Sequence, residues 1–265
     1  MKFCRFVPLD RSASSALYGI LDSDQVREIS GAPWAEWSQS SRAWPLPGVR
    51  LVAPVDPSKI VCIGRNYAAH AREMGSDPNR EPPFFFQKPT DAIQLAPPGE
   101  TVDHPYPTLT KNYHYEVELV AALNKGGRDV PVERALDLVM AYTVGLDMTR
   151  RDLQRAMGDE KKPWEIGKSF DHSAVLGPLQ PAAKTGHFVQ GSIWLKVNGT
   201  TKQNANLNQM IWNVAEQVSK ISEAFELMPG DIIYSGTPEN VGPVVKGDVL
   251  LCRLEGLPDM SIRIT

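Results

Sequence analysis

The chain predicts an α+β protein that is mainly β, on three observations. Its 265 residues carry 22 prolines and 20 glycines, so elements are short and joined by tight turns. Several apolar runs are four to eight residues long or alternate with polar residues, as in Tyr113–Val120. Only one segment, about Ile211 to Phe225, keeps a helical period over several turns.

Taken in order, residues 1–56 predict a small N-terminal β domain with a linker. Leu17–Leu21 is a short strand, and Gly31–Gly48, with three tryptophans and three prolines, an irregular covering loop. The linker is Ala53-Pro54-Val55-Asp56-Pro57, where alternate prolines enforce extended backbone. The main domain, 57–265, opens with a buried strand at Ile60–Ile63 ending at Gly64. A short helix follows from Ala68 to Met74, with Gly75 as its C′ residue. Pro82–Lys88, with three phenylalanines in a row, predicts an internal strand. Further strands fall at 116–123 and 139–146. Thr149 is expected to cap a helix running through Met157, with Asp152 three residues on. Ile193–Lys202 is a hairpin about Asn198-Gly199. Ile211, Val214, Val218, Ile221 and Phe225 mark one amphipathic helix whose stripe is packing.

Composition narrows the function. Apolar residues make up 42% and charged residues 22%, and the net charge is -3, with no Lys/Arg cluster for a phosphate backbone or anionic membrane. The start carries no signal-like apolar core and no segment is long enough to span a bilayer. Cys4, Cys62 and Cys252 are widely spaced and read as reduced, giving a cytoplasmic expectation.

The chemistry concentrates at Glu116 and Glu118. On a strand they share a face, where two ionised carboxylates repel unless a cation joins them. Hard oxygen ligands suit Mg²⁺ or Mn²⁺, with Ca²⁺ also allowed. Asp147, at the end of a second apolar run, could complete a three-carboxylate site. The same alternation also describes a half-buried strand with its carboxylates in water.

An ordered set of motifs carries further information. Gly64-Arg65-Asn66-Tyr67-Ala68-Ala69-His70, Phe86-Gln87-Lys88-Pro89, Glu116/Glu118 and Gly145-Leu146-Asp147-Met148-Thr149 come first. Gly167-Lys168-Ser169-Phe170, Lys196-Val197-Asn198-Gly199, Pro229-Gly230-Asp231 and Ser235-Gly236-Thr237-Pro238 follow. Together they resemble the fumarylacetoacetate hydrolase family over roughly 57–265, and the appendage looks like the small N-terminal domain many members carry. Arg65–Gly75, Pro83–Phe86 and Phe170–Ala174 are most similar to its fumarylpyruvate hydrolases of aromatic-compound degradation.

The resemblance implies a β-sandwich roll, usually a homodimer, holding Mg²⁺ or Mn²⁺ on Glu116, Glu118 and Asp147. It implies cleavage of a 2,4-diketo acid such as fumarylpyruvate, other members performing oxaloacetate decarboxylation or 2-hydroxyhepta-2,4-diene-1,7-dioate isomerisation. His70 and Glu73, three apart on the short helix, share a face and match the family's water-activating pair. Lys168 matches an active-site lysine expected to hold an oxyanion. Arg151 and Gln154, one turn beyond Asp147, suit a substrate carboxylate or oxo group. Gly236 and Thr237 match a loop that presents N–H and hydroxyl to a carboxylate, Tyr67 contacts ligand or anchors the helix, and His172 could reach a distal carboxylate. His114 is expected outside the ligand set. Lys88, Arg150 and Arg155 read as solvated, and His104 and His187 as loop residues. A competing class is a non-catalytic protein whose metal serves folding alone, for which a His/Glu pair beside the metal has no use.

Overall fold

The computed structural model describes residues 2–10, 15–75 and 81–265. The chain divides into two compact units, Met1–Asp56 and Pro57–Thr265.

The first unit is a five-stranded antiparallel sheet in the order Ser38–Pro45, Gln25–Ser30, Leu17–Asp22, Lys2–Pro8, Val49–Val52. Phe6, Val26 and Val49 form its small core, with Trp44 tilted against Phe6 at 5.4 Å between centroids. The covering loop expected at Gly31–Gly48 is therefore corrected in part. Ser38–Pro45 pairs with Gln25–Ser30 across a register shift, and that irregularity hides the strand's period.

In the second unit an eight-stranded mixed sheet carries the site. Its order is Phe84–Lys88, Ile60–Gly64, Ile232–Tyr234, Val117–Leu123, Val139–Asp147, Ala174–Leu176, Ile93–Leu95, with Gln180–Pro181 pairing on Val139–Asp147. A second sheet of five runs Thr200–Asn206, Ser192–Val197, Val249–Leu254, Met260–Ile264, Thr101–His104. One core joins the two, with Leu119, Val144 and Leu146 from the first and Leu195, Cys252 and Ile262 from the second. A three-stranded ribbon of Thr149–Arg150, Tyr113–Tyr115 and Gly242–Val244 closes one end. The architecture is α+β and mainly β, as the turn-rich composition predicts. No helix among the described residues is long and apolar enough to cross a membrane.

Several elements differ from expectation for physical reasons. Phe84–Lys88 is an edge strand, not an internal one, and its phenylalanines meet Trp164 and Phe225 rather than strands on both sides. Thr149 caps no helix. Its hydroxyl faces Asp147 and Lys168, and the helix starts at Arg151 and ends at Asp159. Asp152 instead takes bonds from Thr110 and the Lys111 N–H. The amphipathic helix is Val214–Ala224, because Asn213 and Glu216 form a capping box that excludes Ile211. The hairpin turn is as expected, with φ of 50° at Asn198 and 82° at Gly199. The three cysteines are free.

Candidate metal and catalytic site

Strand Val117–Leu123 is buried along its whole length, so the reading that put its carboxylates in water does not hold. Glu118 lies opposite Gly145 in the antiparallel pairing with Val139–Asp147, and the Asp147 N–H donates to the Glu116 carbonyl at 2.9 Å. The period of two and this register together place all three carboxylates on one face. Their oxygens come within 4.8 Å of one another, and each residue is at least 96% buried, Glu116 being the most open at 4% exposure.

Three cations surround the trio. Lys168 Nζ donates to Glu116 Oε2, Asp147 Oδ2 and Thr149 Oγ1, each at 2.7 Å. Arg151 pairs with the other Glu116 oxygen and donates to Gln154 Oε1 at 2.6 Å. Lys88 Nζ lies 2.8 Å from Asp147 Oδ1 and also donates to the Lys168 carbonyl. Burial would raise the Glu116 pKa, but Lys168 and Arg151 outweigh it and hold the carboxyl below its ordinary range. Burial also opposes the Lys168 charge, yet Asp147 and Glu116 keep its pKa above the usual value.

Glu118 is different. It accepts the Gly236 N–H at 2.7 Å but has no ion-pair partner among the described residues. Burial, with Asp147 and Glu116 beside it, pushes its carboxyl well above the ordinary range. Asp147 Oδ1, close to Lys88, accepts no hydrogen bond of normal angle. An under-compensated glutamate and an all-carboxylate donor set fit a divalent cation such as Mg²⁺ or Mn²⁺.

His70 is 4% exposed and lines the same pocket as the three carboxylates. Its Nδ1 meets Glu73 Oε2 at 2.9 Å, and Glu73 accepts the Asn240 N–H at 3.1 Å from loop residue 240, whose φ is 66°. The short helix Ala68–Glu73 thereby turns His70 inward, while Glu73 stays exposed on the wall of the neighbouring cleft. Asn66 ties the preceding turn down, donating to the carbonyls of Trp212 and Ser235.

Other expected residues take altered parts. Arg151 and Lys168 are engaged by Glu116 and Asp147, rather than standing free for a substrate carboxylate or oxyanion. The Gly236 N–H holds Glu118 and not a ligand, and φ of 98° with Asn66 2.6 Å from a would-be Cβ makes glycine necessary there. Thr237 Oγ1 accepts from Gln203 Nε2 at 2.9 Å, leaving its own O–H to donate. Tyr67 is 1% exposed with an unpartnered hydroxyl. His172 is exposed in a turn at φ 62° and does not line the pocket, so a role on a distal carboxylate finds no support there. His114 bonds Asn112 and Arg151.

Residues expected in solvent or in loops are corrected too. Lys88 is 3% exposed. Arg150 is half-buried and stacks 4.0 Å over Phe170, whereas Arg155 is exposed as expected. His104 is a fully buried strand residue between Gln94 and Tyr113. Gln203, unremarked in the sequence, bridges the Val117 N–H to the Thr237 loop. Its only signal was a polar residue in a hairpin strand.

Two cavities meet here. The carboxylate pocket has about 20 Å³ of free volume, because Lys168 and Arg151 fill it. A cleft of about 1030 Å³ adjoins it, sharing Arg65, Phe86, Gln154 and Trp164, and it lacks the carboxylates. The chemistry belongs to the smaller cavity, which holds the buried carboxylate trio together with His70 and Lys168.

The family described as "Fumarylacetoacetate (FAA) hydrolase C-terminal" matches residues 59–265, and one described as "Rv2993c-like, N-terminal" matches 1–54. A fumarylpyruvate hydrolase of Ralstonia sp is 44% identical over 189 residues, 71% of this chain and 95% of that protein. A mitochondrial oxaloacetate decarboxylase of Dictyostelium discoideum is 40% identical over 207 residues, 78% and 93%. The crystal structure of fumarylpyruvate hydrolase from Pseudomonas aeruginosa with Mn²⁺ and pyruvate superposes with a TM-score of 0.78 at 50% identity, covering 85% of this chain and 92% of that one.

Proposed function

We propose that this chain, which belongs to the fumarylacetoacetate hydrolase family, hydrolyses the C–C bond of an acylpyruvate, fumarylpyruvate above all, to pyruvate and a carboxylic acid. The observation that carries this reading is His70, which lines the pocket of Glu116, Glu118 and Asp147 while its Nδ1 is held by Glu73 at 2.9 Å. A cation there would have no need of a positioned base unless water were to be activated.

Glu73 fixes the imidazole with Nδ1–H toward itself, leaving Nε2 to accept a proton from water. Hydroxide so formed adds to the distal ketone. The bond between C3 and C4 then breaks, its electron pair leaving on C3 as the enolate of pyruvate, and a proton returned to C3 completes the acid and pyruvate. When bound, a divalent cation on the three carboxylates supplies Lewis acidity toward the 2-oxo acid end. Gln154, held by Arg151, and the Thr237 hydroxyl are donors for the substrate's oxygens. Tyr67 lines neither cavity, so its buried hydroxyl is assigned no part on the substrate.

A second reading, oxaloacetate decarboxylation, is favoured by the Dictyostelium relative. It uses the same pocket without an activated water, and isomerisation of 2-hydroxyhepta-2,4-diene-1,7-dioate would do likewise. We further propose a cytoplasmic homodimer acting in aromatic-compound degradation.

The test follows the enol absorbance of fumarylpyruvate with Mn²⁺ or Mg²⁺ and after exhaustive chelation. Loss of absorbance that stops on chelation and returns with metal is expected. Unchanged turnover without metal overturns the reading.

A further inference from the structure

Arg65 stands where the carboxylate pocket opens into the large cleft, lining both. Its guanidinium carbon lies 5.4 Å from the Trp164 ring centroid and 5.8 Å from that of Phe84, while Phe84 and Trp164 meet edge to face at 4.9 Å. An arginine laid on aromatic faces keeps its N–H edge available for a planar bidentate acceptor. Its Nε is buried without a hydrogen bond, and Arg65 has no carboxylate partner among the described residues. A buried, unsatisfied donor on a cation is costly unless a ligand completes it. Its backbone adopts φ of 55°, unusual for arginine and characteristic of residues held for function.

Arg151, Lys168 and Lys88 are all engaged by Glu116 and Asp147. Arg65 is the cation lining the carboxylate pocket that is left without such a partner among the described residues. We infer that Arg65 reads a carboxylate at the far end of the acyl group, so that the site selects diketo acids carrying a second, distal acid. This rests on the acylpyruvate reading above and replaces His172 as the residue that would recognise that end. Phe84, Phe86 and Trp164 would then flank the flat, unsaturated carbons between the two acids.

The experiment has two arms on the Mn²⁺-loaded protein, each with wild type, Arg65→Met and Arg65→Lys, their folding checked by melting temperature. The first measures kcat/KM for fumarylpyruvate and for acetylpyruvate, which lacks the distal acid. Arg65→Met is expected to lower the fumarylpyruvate value about 10–100-fold, mainly through KM, and the acetylpyruvate value several-fold less, Arg65→Lys falling between. Equal losses on both substrates, or none, overturn the inference. The second arm needs no turnover: calorimetry compares fumarate with crotonate, its monoacid analogue. Wild type should prefer fumarate at least about 10-fold and Arg65→Met should not. If wild type processes neither diketo acid yet keeps this preference, the hydrolase reading fails and Arg65 stands. If wild type binds both acids alike, the role of Arg65 fails whatever the activity.

Discussion

Lys88 Nζ lies 2.8 Å from Asp147 Oδ1, both side chains at most 2% exposed. A lysine ending an edge strand thus sits as a structural cation behind a carboxylate of the buried acidic trio. It also clamps the main chain of Lys168, so the two lysines hold Asp147 from opposite oxygens.

Removing that cation leaves a buried charge exposed to its neighbours. Lys88→Met is expected to cost less than the roughly 3–5 kcal/mol of a fully broken buried pair in metal-free protein, because Lys168 still holds the other Asp147 oxygen. Urea unfolding with chelator present measures it. A loss under about 1 kcal/mol would show that Asp147 does not depend on Lys88.

The His70–Glu73 pair separates the competing chemistries. His70→Ala should lower fumarylpyruvate hydrolysis by about 10²–10⁴-fold, the usual contribution of a positioned base. Glu73→Gln should lower it less, since Nε2 survives but its tautomer is no longer held. Any oxaloacetate decarboxylation should fall far less in His70→Ala, because it needs no activated water. Parallel loss of both activities, measured side by side, would remove the water-activating role.

His104 sets a pH limit on the fold. Burial, aided by His172, lowers its pKa from 6.5 to about 3, and it stays neutral between Gln94 and Tyr113. Below pH 6.5 the unfolded chain binds a proton that the native chain refuses. Stability therefore falls as pH drops from 6.5 toward 3, by up to about 1.4 kcal/mol per pH unit from this residue. Denaturant titrations of wild type and His104→Gln from pH 7.5 to 4.5 should show the steeper decline only in wild type. Parallel curves would mean that His104 protonates within the fold.

Much of this was readable from local pattern. The Glu116/Glu118 alternation, the Asn198-Gly199 turn and the His70/Glu73 spacing depend on neighbours one to three residues away, and each holds in the structure. Failures came where a distant partner overrode the local signal. Thr149 has the look of a helix cap, but Lys168 and the carbonyl of Asp147 take its hydroxyl. Lys88 reads as solvated only while Asp147 is not known to lie beside it. Gly236 suits a ligand-binding loop, yet the carboxylate it meets is Glu118.

Residue type and order alone specify a turn-rich β protein, three acids able to share a dication, and a base pair one helical turn apart. These follow from periodicity and from the chemistry of each side chain. Which cations remain free for substrate is a matter of long-range packing. Strand register sets Asp147 across from Glu116, that cluster engages Lys88, Arg151 and Lys168, and Arg65 is left with an unspent donor. Charge compensation in a buried site is decided by groups 21 to 52 residues apart in the chain, and further for Lys88, and no short window of sequence contains it.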